Sequence, residues 1–409
     1  MSRVILHCDC NNFFASVETV RNPAYRSVPM AVCGSEEDRH GIVLAKNELA
    51  KRYGIKTAET VYSAKKKCPN LVICEPHHSL YYEYSKRVNE IYARYTDMIE
   101  PFGIDESWLD VTASRKLFGD GETIANRIRE DVKGELGITV SVGVSYNKIF
   151  AKLGSDYKKP DAVTVISEEN FRDIVFPLPV GDLLFVGART EHELSLIGIR
   201  TIGALAAASE KLLVMKFGKA GSMMHKYANG LDDSPVSPAG EREDAKSVGS
   251  GLTFRHNLTK REEWRVGLEH LSEDVARRLR SLGMKCGTVQ VTVKDEYLRT
   301  IQRRRAISPD TDISREIAEV AYSILCDEWT EGKPIRMLTV TASNLVRADM
   351  VSEQLDMFGD NDVAARDKSK KREETIDKIR QKYGAESIMN GSIMDTDLGI
   401  HAPKGKRRD

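Results

Sequence analysis

Apolar positions along the chain fall into two patterned stretches separated by a middle rich in small helical pieces. Val4 to Cys10 is an apolar run of strand length, and Leu80, Tyr84, Val88, Ile91, Tyr92 and Tyr95 recur at helical spacing. Ile99 to Phe102 and Trp108 to Thr112 read as short strands around the turn Gly103-Ile104-Asp105-Glu106. Ile124, Ile128, Val132 and Leu136 mark a second helix, after which Val140, Val142 and Val144 alternate as a strand. Strand, helix, strand, strand, helix, strand is the order of a split βαβ, or ferredoxin-like, unit. The stretch from about Val20 to Ser79, between the first strand and its helix, reads as an inserted subdomain.

After about Ser167 the pattern changes. Leu178 to Gly230 holds short helical pieces punctuated by glycine, and the phrases VGARTEHELSLIGI and LVMKFGKAGSMMHKYANGL predict paired short helices. Asp232 to Glu243, with two prolines and several acids, has the look of a linker. From Ala245 to about Val346 the strand, helix, strand, strand, helix, strand order returns, with helices near Trp264 to Leu282 and Ser314 to Trp329. The strands of that second unit are expected near Gly287 to Asp295, Arg299 to Ile307 and Arg336 to Leu345. A tail follows, with a charged helical stretch over Val363 to Tyr383 and the basic end KGKRRD.

Composition narrows the class. A chain of 409 residues exceeds one ordinary core, so several domains are expected. Its 41% hydrophobic and 30% charged content reads as globular, and no apolar run reaches the length of a membrane span. Sixty-one basic and 61 acidic residues leave a formal net charge of +0, so a nucleic-acid-binding surface would have to be local. Seven cysteines without a C-x-x-C pair, and no signal-peptide pattern at the start, point to free thiols in the cytoplasm.

The chemistry lies in three acids. In a split βαβ sheet the first and third strands are antiparallel neighbours, so Asp9, ending one, is expected beside Asp105 and Glu106, beginning the other. Taken singly, each is a solvated turn residue; meeting at one spot, the three repel unless a cation lies among them. Hard oxygen ligands at an open edge suit Mg2+, and two such ions would serve phosphoryl transfer. Neighbouring strand residues point to opposite faces, so Asp105 and Glu106 both serve only if the Gly103 turn bends the chain between them.

His7-Cys8-Asp9-Cys10-Asn11-Asn12-Phe13-Phe14-Ala15-Ser16-Val17-Glu18 resembles the opening motif of the Y-family DNA polymerases, and Gly103-Ile104-Asp105-Glu106-Ser107 resembles their second catalytic motif. The similarity continues through Val142-Gly143-Val144-Ser145-Tyr146-Asn147-Lys148, Ala151-Lys152, Lys159-Pro160, Gly198 to Gly203 and Lys246 to Gly249, spanning roughly residues 1 to 346. It implies an α+β right-hand polymerase with a ferredoxin-like palm (1–19 and 80–166), small fingers (20–79) and a helix-hairpin-helix thumb (167–231). A linker (232–244), a split-βαβ little finger (245–346) and a tail (347–409) complete the expected layout.

The resemblance also implies residue roles. Asp9, Asp105 and Glu106 become catalytic carboxylates for two Mg2+ ions, with the Cys10 carbonyl as a further ligand. Phe14 becomes a steric gate against a ribose 2′-hydroxyl. Phe13, Lys51 and Lys159 fall at the nucleotide, although Phe13 also reads as a core aromatic. Lys51 stands where the family usually has an arginine, and Glu48 where many members have a tyrosine that touches the triphosphate. Phe185-Val186-Gly187-Ala188-Arg189-Thr190 resembles a helix-hairpin-helix whose Arg189 could meet a DNA phosphate; a plain structural turn is the other reading. Lys246, Arg303, Arg304 and Arg305 are candidates for tracking DNA, with Arg303 and Arg305 on one strand face and Arg304 on the other.

Gln354-Leu355-Asp356-Met357-Phe358 looks like a bacterial sliding-clamp motif, with Gln354, Leu355, Met357 and Phe358 as contacts. The expected activity is low-fidelity, lesion-bypassing DNA synthesis by a monomer on primer-template DNA with deoxynucleoside triphosphates, away from membranes. Three rivals remain at this stage: a nucleotidyl cyclase, a non-catalytic DNA- or clamp-binding scaffold, and a mutasome subunit needing accessory proteins.

Overall fold

The computed structural model describes residues 3–35, 39, 41–241, 244–350, 360–384, 387, 388, 391 and 396–400. The clamp-like peptide 354–358 and the basic end lie outside them. By its contacts the chain divides into two units, Met1–Gly34 with Ile42–Arg242, and Ser35–Gly41 with Glu243–Asp409.

The first unit opens with β1 (Ile5–Cys10), buried at every position, and α1 (Phe13–Arg21). The inserted segment then builds β2 (Met30–Cys33), β3 (Val43–Lys46), α2 (Glu48–Arg52), α3 (Val61–Lys67) and β4 (Val72–Cys74). Its three-stranded sheet has the order β3-β2-β4. Alternation divides that sheet between two cores: Ala31 and Cys33 pack with Val43 and Val61, whereas Met30 and Val32 join the main core beside β1.

The chain returns through α4 (His78–Tyr92), β5 (Ile99–Pro101), β6 (Glu106–Asp110), α5 (Arg115–Phe118), α6 (Gly121–Leu136), β7 (Val140–Ser145), α7 (Lys148–Tyr157) and β8 (Val163–Ile166). The helix α6 starts where the Asp120 carboxylate accepts from Thr123 N at 2.8 Å and stops at Gly137, whose φ of 69° ends the helix in the left-handed region. Its apolar stripe of Ile124, Ile128, Val132 and Leu136 is buried against the sheet.

The sheet order is β5-β6-β1-β7-β8, so the central strands match the expected topology. A fifth strand, β8, adds parallel to β7, which the alternation of Val140, Val142 and Val144 did not anticipate. The strand β7 is buried on both faces, because α7 covers the side opposite α6. Contact with α7 is direct: a Cβ on Gly143 would stand 1.8 Å from the Ala151 carbonyl oxygen, and one on Gly154 3.0 Å from Gly143 Cα. That close approach fixes α7 over β1.

Next come α8 (Phe171–Val175), α9 (Ala188–Leu196), α10 (Ile202–Ala207), α11 (Glu210–Phe217) and α12 (Lys219–Ala228), the short paired helices foreseen in the sequence. They share a core with Ile149, Phe150 and Leu153 of α7. The stretch read as a linker is held down: Val236 is 1% exposed beside Ile5 and Trp108, and Ser237 N donates to Glu100 Oε2 at 2.9 Å.

The second unit contains β9 (Ser247–Leu258), α13 (Arg261–Ser281), β10 (Met284–Lys294), β11 (Thr300–Thr311), α14 (Ser314–Glu328) and β12 (Ile335–Arg347), with strand order β11-β10-β12-β9. Val289, Val291, Leu338 and Val340 pack under both helices. The charged tail stretch forms α15 (Asp360–Tyr383), which lies on those helices through ion pairs. Arg280 bonds Glu373 and, at 2.7 Å, Asp377, while Ser314 N and Oγ donate to Glu373 at 3.0 and 2.6 Å. Arg380 and Glu273 meet at 2.6 Å, as do Arg366 and Glu316. Leu398 and Ile400 complete the core.

Candidate active site

Antiparallel pairing of β1 with β6 sets Asp9 opposite Glu106, and Cys10 N donates to the Asp105 carbonyl at 3.0 Å. The backbone register therefore brings the three acids to neighbouring positions at these strand ends. Asp105 precedes the first residue of β6 and follows Gly103, whose φ of 120° turns the chain there. That bend releases Asp105 from the strict alternation of the strand.

Cations reach the acids from α7 and the loop after it. Lys159 Nζ lies 2.7 Å from Asp9 Oδ2 and 2.6 Å from Asp156 Oδ1. Lys152 Nζ lies 2.5 Å from Glu106 Oε2, which His7 Nε2 approaches at 3.2 Å. The other ring nitrogen of His7 shares a 2.8 Å hydrogen bond with Ser155 Oγ. Burial pushes Asp9 up to about 6 against the pull of Lys159, with Glu106 and Asp156 adding to the rise. Burial and then the charge of Glu106 also raise Asp105. Glu106 is buried too, but His7 and Lys152 hold it down to about 2.

Buried carboxylates side by side, two of them, Asp9 and Asp105, raised by burial and by the charge of Glu106, suit a divalent cation of the Mg2+ kind. With two lysines drawn onto these acids, their oxygens are not gathered into one ligand set. Among the described residues, one group of three donors lies within 4.8 Å, and it is Glu18, Cys74 and His77. That group is already bonded internally, His77 Nδ1 to Glu18 Oε1 at 2.8 Å.

Phe14 is half-buried and stacks on Tyr81, with centroids 4.1 Å apart and planes 13° apart. Phe13 is 3% exposed and packs in the main core, the core-aromatic side of its two expected readings. Lys51 is exposed and sits 3.6 Å from Glu48, whose Oε1 also accepts from Asn12 Nδ2 at 2.8 Å. Arg189 is exposed at the start of α9, and Lys246 is exposed just before β9.

The arginines of β11 divide as expected. Arg303 and Arg305 pair across the strand with Val291 and Val289 on the helix side, and they engage Glu328 at 2.9 Å and Asp327 at 2.8 Å. Arg304 stands opposite Gln290 on the other face, in a row that continues through Thr341 to Gly249, and pairs with no acid among the described residues.

His7, Lys152 and Ser155 were not singled out as site residues by sequence reasoning. For Lys152 the signal was available: Lys148, Lys152 and Asp156 recur every fourth position of α7, the spacing of one helical face.

Comparison with known proteins agrees. A family model described as the impB/mucB/samB family matches residues 8–156, and its C-terminal domain matches 245–357. The chain is 49% identical to DNA polymerase IV of Acetivibrio thermocellus over 401 residues, covering 98% of this chain and 100% of that one. Against DNA polymerase IV 1 of Bacillus subtilis the identity is 35%, over 96% of this chain and 94% of the relative. A solved chimeric Y-family DNA polymerase has the same fold, with a TM-score of 0.74 at 23% identity over 84% of this chain and 99% of that one.

The chain belongs to the impB/mucB/samB family, the Y-family DNA polymerases. Within it, the relatives that cover its length are polymerases of the DNA polymerase IV type.

Proposed function

We propose that this translesion DNA polymerase joins deoxynucleotides to a primer 3′-end at Asp9, Asp105 and Glu106. The pairing of Asp9 with Glu106, beside Asp105 and under the Lys152 and Lys159 ammonium groups, is the observation that supports this. Divalent-metal dependence comes with the family; two Mg2+ ions on these carboxylates and the Cys10 carbonyl are the finer reading. Bound there, the ions would supply positive charge to activate the primer hydroxyl and to hold the leaving oxygen.

The remaining steps belong to the chain itself. In line with the leaving pyrophosphate, the primer 3′-oxygen bonds to the α-phosphorus of the incoming nucleotide. Lys159 and Lys51 bind the triphosphate. Phe14 excludes a ribose 2′-hydroxyl. The five-stranded sheet acts as palm, the inserted segment as fingers, residues 167–231 as thumb and residues 245–346 as little finger, with DNA as substrate. Arg189, Lys246 and Arg304 are exposed and would approach phosphates, whereas Arg303 and Arg305 would first have to leave Glu328 and Asp327. A fingers segment this small checks base-pair shape loosely, which suits damaged templates and low fidelity.

No helix of the described residues is long and apolar enough to cross a membrane, and a cytoplasmic monomer is the reading that goes with a DNA substrate. Residues 354–358 bind the sliding clamp through Gln354, Leu355, Met357 and Phe358. Primer extension with Mg2+ tests the whole: wild type extends and Asp105→Ala does not. Replacing Leu355 and Phe358 by Ala is expected to remove clamp stimulation and leave unassisted synthesis intact.

A further inference from the structure

Behind Phe14 lies a second layer whose composition is not that of simple packing. Tyr81, 0% exposed, presents its ring flat to Phe14 at 4.1 Å. Its hydroxyl donates to Glu18 Oε1 at 2.6 Å, and Glu18 is itself 1% exposed. The carboxylate is balanced on its far side by His77 Nδ1 at 2.8 Å and by the Arg21 guanidinium at 3.6 Å. Phe14 also meets the edge of His78, with centroids 5.9 Å apart and planes at 86°.

A buried carboxylate is costly, and phenylalanine at 81 opposite an apolar residue at 18 would fill the same space more cheaply. What the ionic arrangement adds is position. A hydroxyl-to-carboxylate bond of this length is strong and directional, so Tyr81 cannot slide along its own plane. A ring that excludes an oxygen atom discriminates only while it cannot retreat, and a close-packed backing layer passes that rigidity forward. Burial and the charge of Glu18 both raise the Tyr81 phenol, which keeps it a donor.

We infer that Glu18 is a positioning residue for sugar selection: by holding Tyr81 in register it fixes the surface on which Phe14 rests, and so limits the room left for a 2′-hydroxyl. The inference rests on Phe14 being the gate. The arrangement joins two helices, Phe14 and Glu18 from α1 with Tyr81 from α4 and His77 from its N-cap, so α1 and α4 must keep their spacing for the gate to hold.

The test is single-nucleotide insertion of a deoxynucleotide and of the matching ribonucleotide, by full-length wild type, Phe14→Ala, Tyr81→Phe and Glu18→Gln. Tyr81→Phe keeps the stacked ring but loses the bond. It is expected to lower sugar discrimination about fivefold to tenfold, through a lower KM for the ribonucleotide, with deoxynucleotide kcat/KM changed less than about twofold. Glu18→Gln still offers the phenol an acceptor and is expected to keep discrimination within about twofold of wild type. If Tyr81→Phe discriminates like wild type while Phe14→Ala does not, the inference fails and the gate stands. If Phe14→Ala discriminates like wild type, the gate itself fails, and the inference with it. If Tyr81→Phe depresses both nucleotides equally, Glu18 and Tyr81 only hold the fold, and the inference is overturned.

Discussion

Lys159 Nζ bridges Asp9 and Asp156, at 2.7 and 2.6 Å, so one ammonium group neutralises the acid that burial drives up to about 6. The two carboxylates raise the lysine in turn, although burial opposes them. Lys159→Met would leave Asp9 without that partner and, on the proposed reading, remove one of the two lysines from the triphosphate. Loss of one charge-assisted contact predicts a KM for the incoming nucleotide raised roughly tenfold to a hundredfold, with kcat less affected. Steady-state insertion kinetics decide it, and an unchanged KM would confine Lys159 to the acid.

Asp105→Asn is expected to cost about a thousandfold or more in extension rate, the scale of removing one preorganised electrostatic group. The same change is expected to raise the melting temperature. Burial and Glu106 lift the Asp105 carboxyl, so its ionised form at neutral pH destabilises the fold, and an uncharged isostere relieves it. Thermal unfolding of the variant without added metal reads the sign.

Gly143→Ala tests the seat of α7. The added methyl would meet the Ala151 carbonyl oxygen at 1.8 Å and Ser155 N at 2.5 Å, both backbone atoms. Accommodating it means lifting the helix that carries Lys152 and Ser155. A loss of about 3 kcal/mol or more is expected in urea unfolding, with weakened activity in whatever folds.

Arg280→Ala would strand Glu373 and Asp377 under α15. Breaking a buried pair costs about 3–5 kcal/mol, so α15 should open to limited proteolysis before the second unit unfolds. Protease resistance equal to wild type would show that the other ion pairs of α15 suffice.

On β11 the two faces should behave differently. Arg304→Ala is expected to weaken DNA binding and to lower the salt dependence by about 0.9 in log–log slope, one phosphate contact. Arg303→Ala removes a side chain already held by Glu328 and should change that slope less. Equal effects would mean that both arginines reach DNA.

How far the sequence could be read depended on range. The alternation in β7 and the stripe of α6 report contact with one neighbouring layer, and the strand order followed from chain-crossing rules. Asp9 and Glu106 were placed because antiparallel register is simple arithmetic once two strands are known to pair. What stayed hidden depended on a third element arriving. The pairing of Lys152 with Glu106 follows from α7 crossing β1, and that crossing is set by Gly143 and Gly154, whose missing side chains leave no mark in a hydrophobic pattern. The strand β8 escaped because Val163 to Ile166 is a short run that suits a loop as well as a strand. The helical stretch of the tail was legible as α15, but the partners that Arg366, Glu373, Asp377 and Arg380 find on the second unit's helices leave no mark in its charge pattern.

Leu398 and Ile400 lie in the same core as Val248, residues from opposite ends of the second unit. During synthesis, then, that unit cannot finish closing when β12 leaves the ribosome; it waits for the chain's last stretch. The first unit, complete by Arg242, has no such delay and can fold while the rest is still being made. A transcript cut short after β12 would therefore yield a well-formed first unit joined to a second with an uncovered greasy seam, the kind of surface that proteases and chaperones find first.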